Sequence, residues 1–495
     1  MARGLKVLLV SVEVAPLAKV GGLADVACAL PKALRALGHD VRIAMPCYRM
    51  IEKNPDYPVR TLIKNLPVPI NPMTTEQAII RRTSLKDGTP VYLVGHERYF
   101  TGATESKKVY ALEPEPYIFF DRAIPVMLEQ LDWMPDVIHA NDWHTGFVPV
   151  YIRVLHAHQP EWQQVGLVFT IHNLAYQGEF GYELLWKAGL PEWLFHYERL
   201  EFYGRVNFLK GGIVYSDMVN TVSKTYAKEI QTPEYGCRME GLLQYIASQG
   251  RLEGIVNGID YEEYNPATDP RIPAHYSADD PSSKARCKEA LQQECGFTID
   301  PNAPVIGMIT RLADQKGLDL VASIVKPMLE QGVQFVVLGT GDPRYEELFT
   351  QLAREHPTQM RAFIGFDPDL AQRIYAGSDM FLMPSRFEPC GLGQLMALRY
   401  GTIPIVRKTG GLADTIADFS ARTGKGNGFV FEQYEAQELL RTVKRALKVY
   451  KQPEVWRQLV DTALRSDYSW QRAANEYAQL YLRALQQRKS SLEAA

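Results

Sequence analysis

SRFEPCGLGQLMALRYGTIPIVRKTGGLADT, Ser385 to Thr415, decides how this chain is read. It sets Glu388 and a Lys-x-Gly-Gly loop, Lys408 to Gly411, at the starts of two helical patterns separated by the apolar strand Ile403 to Val406. Helix starts offer unpaired N–H groups and partial positive charge, and glycines let an anion come close to the backbone. A phosphorylated ligand is therefore expected at this edge. The motif has an echo near the amino terminus, where Lys19-Val-Gly-Gly-Leu-Ala-Asp25 answers Lys408-Thr-Gly-Gly-Leu-Ala-Asp414. Alone, either loop reads as a tight strand-to-helix turn with an exposed lysine. Two matched copies favour one ligand met by a loop from each half.

Outward from that stretch, β and α patterns alternate: strand Val305 to Thr310, helix Gly317 to Leu329, strand Phe335 to Gly339, helix Tyr345 to Arg354, strand Arg361 to Gly365, helix Leu370 to Ala376 and strand Met380 to Met383. Beyond it come strand Phe429 to Phe431 and helix Ala436 to Tyr450. Such alternation predicts a doubly wound parallel sheet, with ligands beyond the carboxyl ends of its strands. A second α/β alternation opens the chain: strand Lys6 to Val12, a helix carrying Leu23, Val26, Ala27, Leu30 and Leu34, and strand Val41 to Met45. Strand-like pieces from Leu62 to Phe100 extend that sheet, a helix is expected near Pro116 to Leu131, and Val214 to Val222 reads as a further short strand. The polar, proline-rich segment before Ser283 separates the two alternations. The expected domains are residues 1–260, 261–467, and a helix over 468–495 packing back on the first.

Two large domains suit a chain of 495 residues. A hydrophobic content of 46% with 22% charged residues is that of a soluble globular protein, and a net charge of −3 gives no reason to expect nucleic acid or a membrane surface as partner. Six cysteines without a C-x-x-C spacing point to free thiols in a reducing compartment. The start Met-Ala-Arg-Gly leaves no room for a leader before the first strand, so a cytoplasmic location is expected.

The chemistry-bearing candidates lie at strand ends. Arg311 and Lys316 would neutralise a leaving diphosphate. Glu388, just ahead of a proline, is balanced between helix capping and ligand contact, and Cys390 could feel the same helix end and have a lowered pKa. Gly339 in Gly-Thr-Gly-Asp suggests close backbone approach to a ligand. Neither a P-loop nor Gly-x-Gly-x-x-Gly is present. His139, His144 and His172 sit at or just past strand ends, and the cluster with Asp142 lacks metal-ligand spacing, so no metal is expected. Asp367-Pro-Asp369 reads as turn and cap chemistry.

Taken in order, Lys19-Val-Gly-Gly-Leu-Ala-Asp-Val, His139-Ala-Asn-Asp-Trp-His, Thr170-Ile-His-Asn-Leu-Ala-Tyr-Gln-Gly, Gly254-Ile-Val-Asn-Gly-Ile-Asp, Arg311 with Lys316, Glu388-Pro-Cys-Gly-Leu and Lys408-Thr-Gly-Gly-Leu-Ala-Asp resemble the glycogen/starch synthase family across nearly the whole chain. The resemblance implies a GT-B fold, two Rossmann-like domains facing a deep interdomain cleft. It also implies a retaining transfer of glucose from ADP-glucose to the non-reducing end of an α-1,4-glucan, without metal or cofactor. By that resemblance Lys19, Gly21, Gly22 and Asp25 belong to the donor-facing loop, and Arg311 and Lys316 to the diphosphate. Glu388 would bond sugar hydroxyls beside Cys390, Gly391 and Leu392, while His172, Asp142, Asn173, Tyr176 and Asn257 line the sugar. Phe366 would stack on the base, and Thr409, Gly410 and Gly411 would meet phosphate or sugar through their backbone. Val20 and Gly393 depart from residues common in relatives, Val20 as in the soluble starch synthase III/IV type and some cyanobacterial enzymes. A silent glucan-binding protein, a sucrose-forming transferase and a phosphorylase are the competing readings.

Overall fold

In the computed structural model, β1 (Lys6–Val10) lies between β2 (Asp40–Pro46) and β6 (Val137–Asn141), all three parallel and almost wholly buried. The structure describes residues 4–111 and 113–493. The reading of a leaderless start rests on Met1–Arg3, which lie outside the described residues. By compactness the chain divides into two units. The first runs through Val222 and includes Ala227–Ile255 and the chain from Trp470 onward, and the second comprises Ser223–Tyr226 and Val256–Ser469.

The first unit is built on a nine-stranded sheet. From β1 the order runs on one side through β6, β7 (Gly166–Ile171) and β11 (Met218–Thr221) to β12 (Leu252–Gly254). On the other side it runs through β2, β5 (Pro90–Gly95) and β4 (Thr74–Ser84) to β3 (Arg60–Asn71). Strands from β12 to β5 are parallel, and β4 and β3 add antiparallel. Pro67 and Pro69 stand on the edge strand β3, where a missing N–H leaves no ladder bond unmade. A small antiparallel sheet, β8 (Glu179–Phe180), β10 (Arg205–Asn207) and β9 (Glu201–Phe202), follows β7. The last helix, Trp470–Glu493, packs on helix Gly22–Ala36 and on β6, β7 and β11. Its Tyr477 and Tyr481 are fully buried and bond Asn220 and His139.

The second unit holds six parallel strands ordered β15 (Met360–Ile364), β14 (Gln334–Gly339), β13 (Val305–Ile309), β16 (Met380–Met383), β17 (Ile403–Arg407) and β18 (Phe429–Phe431). Helices Leu318–Leu329, Pro343–Glu355, Pro368–Gly377 and Ala436–Tyr450 connect and cover it. Asp367 caps the third through Asp369 N and Leu370 N, as turn chemistry predicts.

One element differs from the sequence reading. Val214 and Tyr215 end a helix, Phe208–Tyr215, and the strand starts only at Met218. Gly211 and Gly212 allow this, since a Cβ on either would press on Val150, Leu200 or the Phe169 ring. The helix can therefore lie closer to the sheet than larger residues permit. Among the described residues no helix is long and apolar enough to cross a membrane, and the six cysteines are all free.

Candidate functional site

Each sheet has one place where its strand order reverses around a central strand, between β1 and β6 in the first unit and between β13 and β16 in the second. Loops leaving such neighbours diverge and leave a crevice at their carboxyl ends. The sequence candidates cluster there.

In the second unit, the loop after β13 carries Arg311 and Lys316, and the loop after β16 carries Glu388. Lys316 Nζ lies 2.7 Å and 3.0 Å from the two Glu388 oxygens, and Ser385 Oγ donates to the same carboxylate at 2.8 Å. Both side chains of the ion pair are mostly buried, 16% and 8% exposed. Glu388 therefore does not cap a helix: the following helix begins at Gly393, with Leu392 at its N-cap position. Arg311 is exposed, and among the described residues its Nη2 meets only Gln315 Oε1, at 3.3 Å.

Burial pushes the Cys390 thiol up to about 12 despite the Asn257 N–H that it accepts, opposite to the lowered value expected of a helix start. Asn257 is buried, and its Oδ1 has no partner among the described residues. Gly391 has φ 75°, and Gln394 beneath it donates to the carbonyls of Cys390 and Gly391. Phe366 stands 82% exposed in the turn after β15.

The glycines of this unit pack against the chain's own backbone. A Cβ on Gly410 would fall 1.9 Å from Glu388 O, and one on Gly411 2.0 Å from Cys390 O. Gly411 N–H is already given to Glu388 O and Pro389 O. Thr409 is fully buried, with its N–H on Arg407 O, and Lys408 pairs with Glu432 at 2.6 Å. Gly339 is explained likewise, since a Cβ there would lie 1.9 Å from Thr310 O. These loops lock the Glu388 segment in place, and the backbone N–H groups of Thr409 and Gly411 are already spoken for.

The echoing loop of the first unit is different. Gly21 and Gly22 are exposed, and a Cβ on Gly21 would meet only Glu13 Oε1, at 3.9 Å. Yet its N–H groups already hold an anion: Glu13 Oε2 accepts from Val20 N at 2.5 Å and Gly21 N at 2.8 Å, and Tyr110 donates to the other oxygen. Burial raises the Glu13 pKa, and those backbone bonds oppose the rise. Lys19 pairs with Asp25 at 2.6 Å. The matching Asp414 instead accepts from Thr225 N and Oγ1. The motifs are alike in sequence and unlike in work.

Beyond β6 and β7, Asp142 and His172 come together. Asp142 sits at φ 58°, a left-handed position few side chains adopt, and its Oδ1 accepts from His172 N at 2.8 Å. Burial lifts its carboxyl to about 7, while N–H groups of His172 and Asn173 pull down and the Glu13 charge pushes up. Burial lowers His172 to about 3, so it is neutral through the ordinary range. Asn173 forms a turn with Ala175, and Tyr176 is 54% exposed beside it. His139 is closed, bonded to Tyr481 and Thr170, and His144 is stacked on Trp143 at 3.9 Å. Among the described residues no three His, Cys, Asp or Glu side chains are grouped to hold a metal.

A raised Asp142 pKa has a stability consequence. Against the ordinary 3.8, a folded value near 7 means that the folded chain keeps the proton longer, so stability falls as pH rises through that window. Asp142→Asn keeps an acceptor oxygen and removes the penalty. Its melting temperature should exceed wild type by a few degrees at pH 8 and converge with it near pH 4, with activity reduced. Equal melting curves at both pH values would contradict this origin of the strain.

Sequence reasoning did not find Glu13, Tyr110, Asn141 or Ser385 as site residues. Glu13 had only its position just past a buried strand to mark it, and Tyr110 joins it across 97 residues.

Comparison with known proteins follows the same division. A family described as "Starch synthase catalytic domain" matches residues 6–245, and "Glycosyl transferases group 1" matches residues 294–459. The chain is 48% identical to a glycogen synthase of Moorella thermoacetica, covering 99% of each chain. It is 47% identical to one of Thermosipho africanus, over 98% of this chain and 100% of that one. Among solved structures, the catalytic domain of starch synthase IV from Arabidopsis thaliana, bound to ADP and acarbose, superimposes with TM-score 0.90 at 35% identity, covering 98% of this chain and all of that one. A sucrose-phosphate synthase from Thermosynechococcus elongatus, at TM-score 0.61 and 16% identity, shares the fold alone.

Proposed function

The chain belongs to the glycogen and starch synthase family of GT-B glycosyltransferases, and from that premise we propose how its residues elongate an α-1,4-glucan with ADP-glucose as donor. The observation that carries the reading is the Lys316–Glu388 pair with Arg311 at the strand-order reversal of the second unit. Cleavage of a sugar–diphosphate bond builds negative charge on the leaving phosphate, and cations fixed beside it lower that barrier. Arg311, which has no carboxylate partner among the described residues, is the freer cation. Lys316 is held by Glu388 and can share its charge with the phosphate, while the Glu388 carboxylate accepts from the glucosyl hydroxyls.

In the first unit, Lys19 and the sugar-facing Asp142, His172, Asn173 and Tyr176 supply polar and aromatic contacts for glucosyl units. Transfer with retained configuration follows if the acceptor hydroxyl attacks from the leaving-group face and the departing phosphate takes its proton. The reaction belongs in the cytoplasm, where ADP-glucose would be made.

The donor is ADP-glucose by resemblance to bacterial and plant members of the family, and the ADP held by the Arabidopsis relative supports adenine over uracil. The test is incubation with glycogen and either ADP-glucose or UDP-glucose in competition. Glucose should enter the polymer with one ADP released per residue, and ADP-glucose should win. No polymer-bound glucose from either donor would sink the reading.

Phe366 supports the nucleotide side, because an aromatic ring left 82% exposed has a free face for a base. Stacking of a base on an aromatic side chain is worth about 1–3 kcal/mol. Phe366→Ala should therefore raise KM for the donor about tenfold with kcat nearly unchanged. An unchanged KM would remove Phe366 from the donor site.

A further inference from the structure

His172 meets β6 through one bond, Nε2 to Asn141 Oδ1 at 2.9 Å, and the direction of that bond follows from the rest of the Asn141 amide. Asn141 Nδ2 lies 3.1 Å from Val10 O on β1 and 3.2 Å from His139 O on β6. Carbonyl oxygens only accept, so the amide nitrogen must face them and the amide oxygen must face the histidine. Turning the amide over would set its oxygen against two carbonyls in a residue only 1% exposed, leaving buried groups unpaired. The Asn141 oxygen also only accepts. The hydrogen of the bond therefore sits on His172 Nε2.

A neutral imidazole protonated at Nε2 keeps its lone pair on Nδ1. His172 is half-buried, and its Nδ1 has no hydrogen-bond partner among the described residues. His139 makes the contrast. Thr170 Oγ1 donates to Asn220 Oδ1 at 2.6 Å, so it accepts from His139 Nε2, and Tyr481 OH satisfies the other nitrogen. The ring of His139 is closed, and that of His172 is open on one side.

We propose that Asn141 is a positioning residue that fixes His172 in the Nε2–H tautomer, so that Nδ1 accepts a hydrogen bond from a hydroxyl of the glucosyl group. This rests on the glucosyl-donor reading for the identity of the hydroxyl, and on the Asn141 network alone for the tautomer. A carboxylate at position 141 would accept the same bond but would also raise the ring's pKa, favouring an imidazolium whose Nδ1 is a donor rather than a lone pair. A neutral acceptor anchored between two strands makes the acceptor face of His172 the default state.

Nitrogen-15 NMR of the full-length protein with labelled histidine tests both parts, with His172 assigned by its loss in His172→Gln. The expected pattern at pH 7 is a protonated Nε2 and an Nδ1 at the far-downfield position of a bare ring nitrogen. An Nδ1–H tautomer or an imidazolium would overturn the assignment, whatever the enzyme's substrate. Adding ADP-glucose should move the Nδ1 resonance upfield, and ADP alone should not. An Nδ1 unmoved by ADP-glucose in a sample that transfers glucose to glycogen would refute the hydroxyl contact, whereas a sample without transfer would refute the donor reading instead.

Asn141→Leu should give mixed tautomers and a kcat about tenfold lower, the worth of one neutral hydrogen bond, at nearly unchanged KM. Asn141→Asp should raise the pH at which the imidazolium pattern of His172 appears. A folded Asn141→Leu with pure Nε2–H and wild-type kcat would show that Asn141 does not set the tautomer.

Discussion

Lys316→Ala and Glu388→Ala should each cost at least about a hundred-fold in kcat, and each should also lower the melting temperature of the second unit. The two effects have separate causes. Removing one member of a mostly buried ion pair strands the other charge, which typically costs about 3–5 kcal/mol. For a unit of this size that is on the order of 10 °C. The double variant Lys316→Met with Glu388→Leu removes both charges and keeps the volume, so stability should return towards wild type while activity stays lost. Thermal melts and single-turnover rates on the three proteins separate these contributions. Near-normal rates in either single variant would refute the assignment of the pair to the reaction.

Arg311→Ala should give the opposite combination, a kcat lower by about a hundred-fold with no change in melting temperature. Arg311 is exposed, and its only hydrogen bond among the described residues is the long one to Gln315, so the fold gains little from its charge. Its value is realised only when negative charge develops beside it. Arg311→Lys should recover part of the rate, since a point charge replaces a planar fork. If Arg311→Ala lost stability and kept its rate, the residue would be structural.

The contrast between these two residues shows what a sequence conveys. Alternating apolar runs and turn residues made both sheets legible, because burial on two faces dictates strand composition locally. Position past a strand end marked Arg311, Lys316, Glu388 and His172. The pairing of Lys316 with Glu388 was not legible, since the two stand 72 positions apart and the strand order intervenes. The packing role of the glycine loops was not legible for a related reason. Glycine admits any close neighbour, and at Gly410 and Gly411 one such neighbour is the protein's own backbone. Likewise, nothing near Glu13 in sequence announces that its carboxylate will occupy the N–H groups of Val20 and Gly21. The thiol of Cys390 followed burial over the helix end, because seven residues of helix carry a small dipole and a dry pocket carries a large penalty.

The final helix, Trp470–Glu493, has a consequence for the order in which the protein is made. Its buried Tyr477 and Tyr481 complete a core whose other walls are β6, β7, β11 and helix Gly22–Ala36. Chains emerge amino terminus first, and domains generally fold as they emerge. Here the unit synthesised first lacks one wall until Trp470–Glu493 has left the ribosome. The second unit, whose sheet and covering helices all lie between Val256 and Ser469, can fold before the first is finished. A nascent chain stalled short of Trp470 should therefore expose the apolar surface around His139 and Asn220, the place where such chains would call on a chaperone.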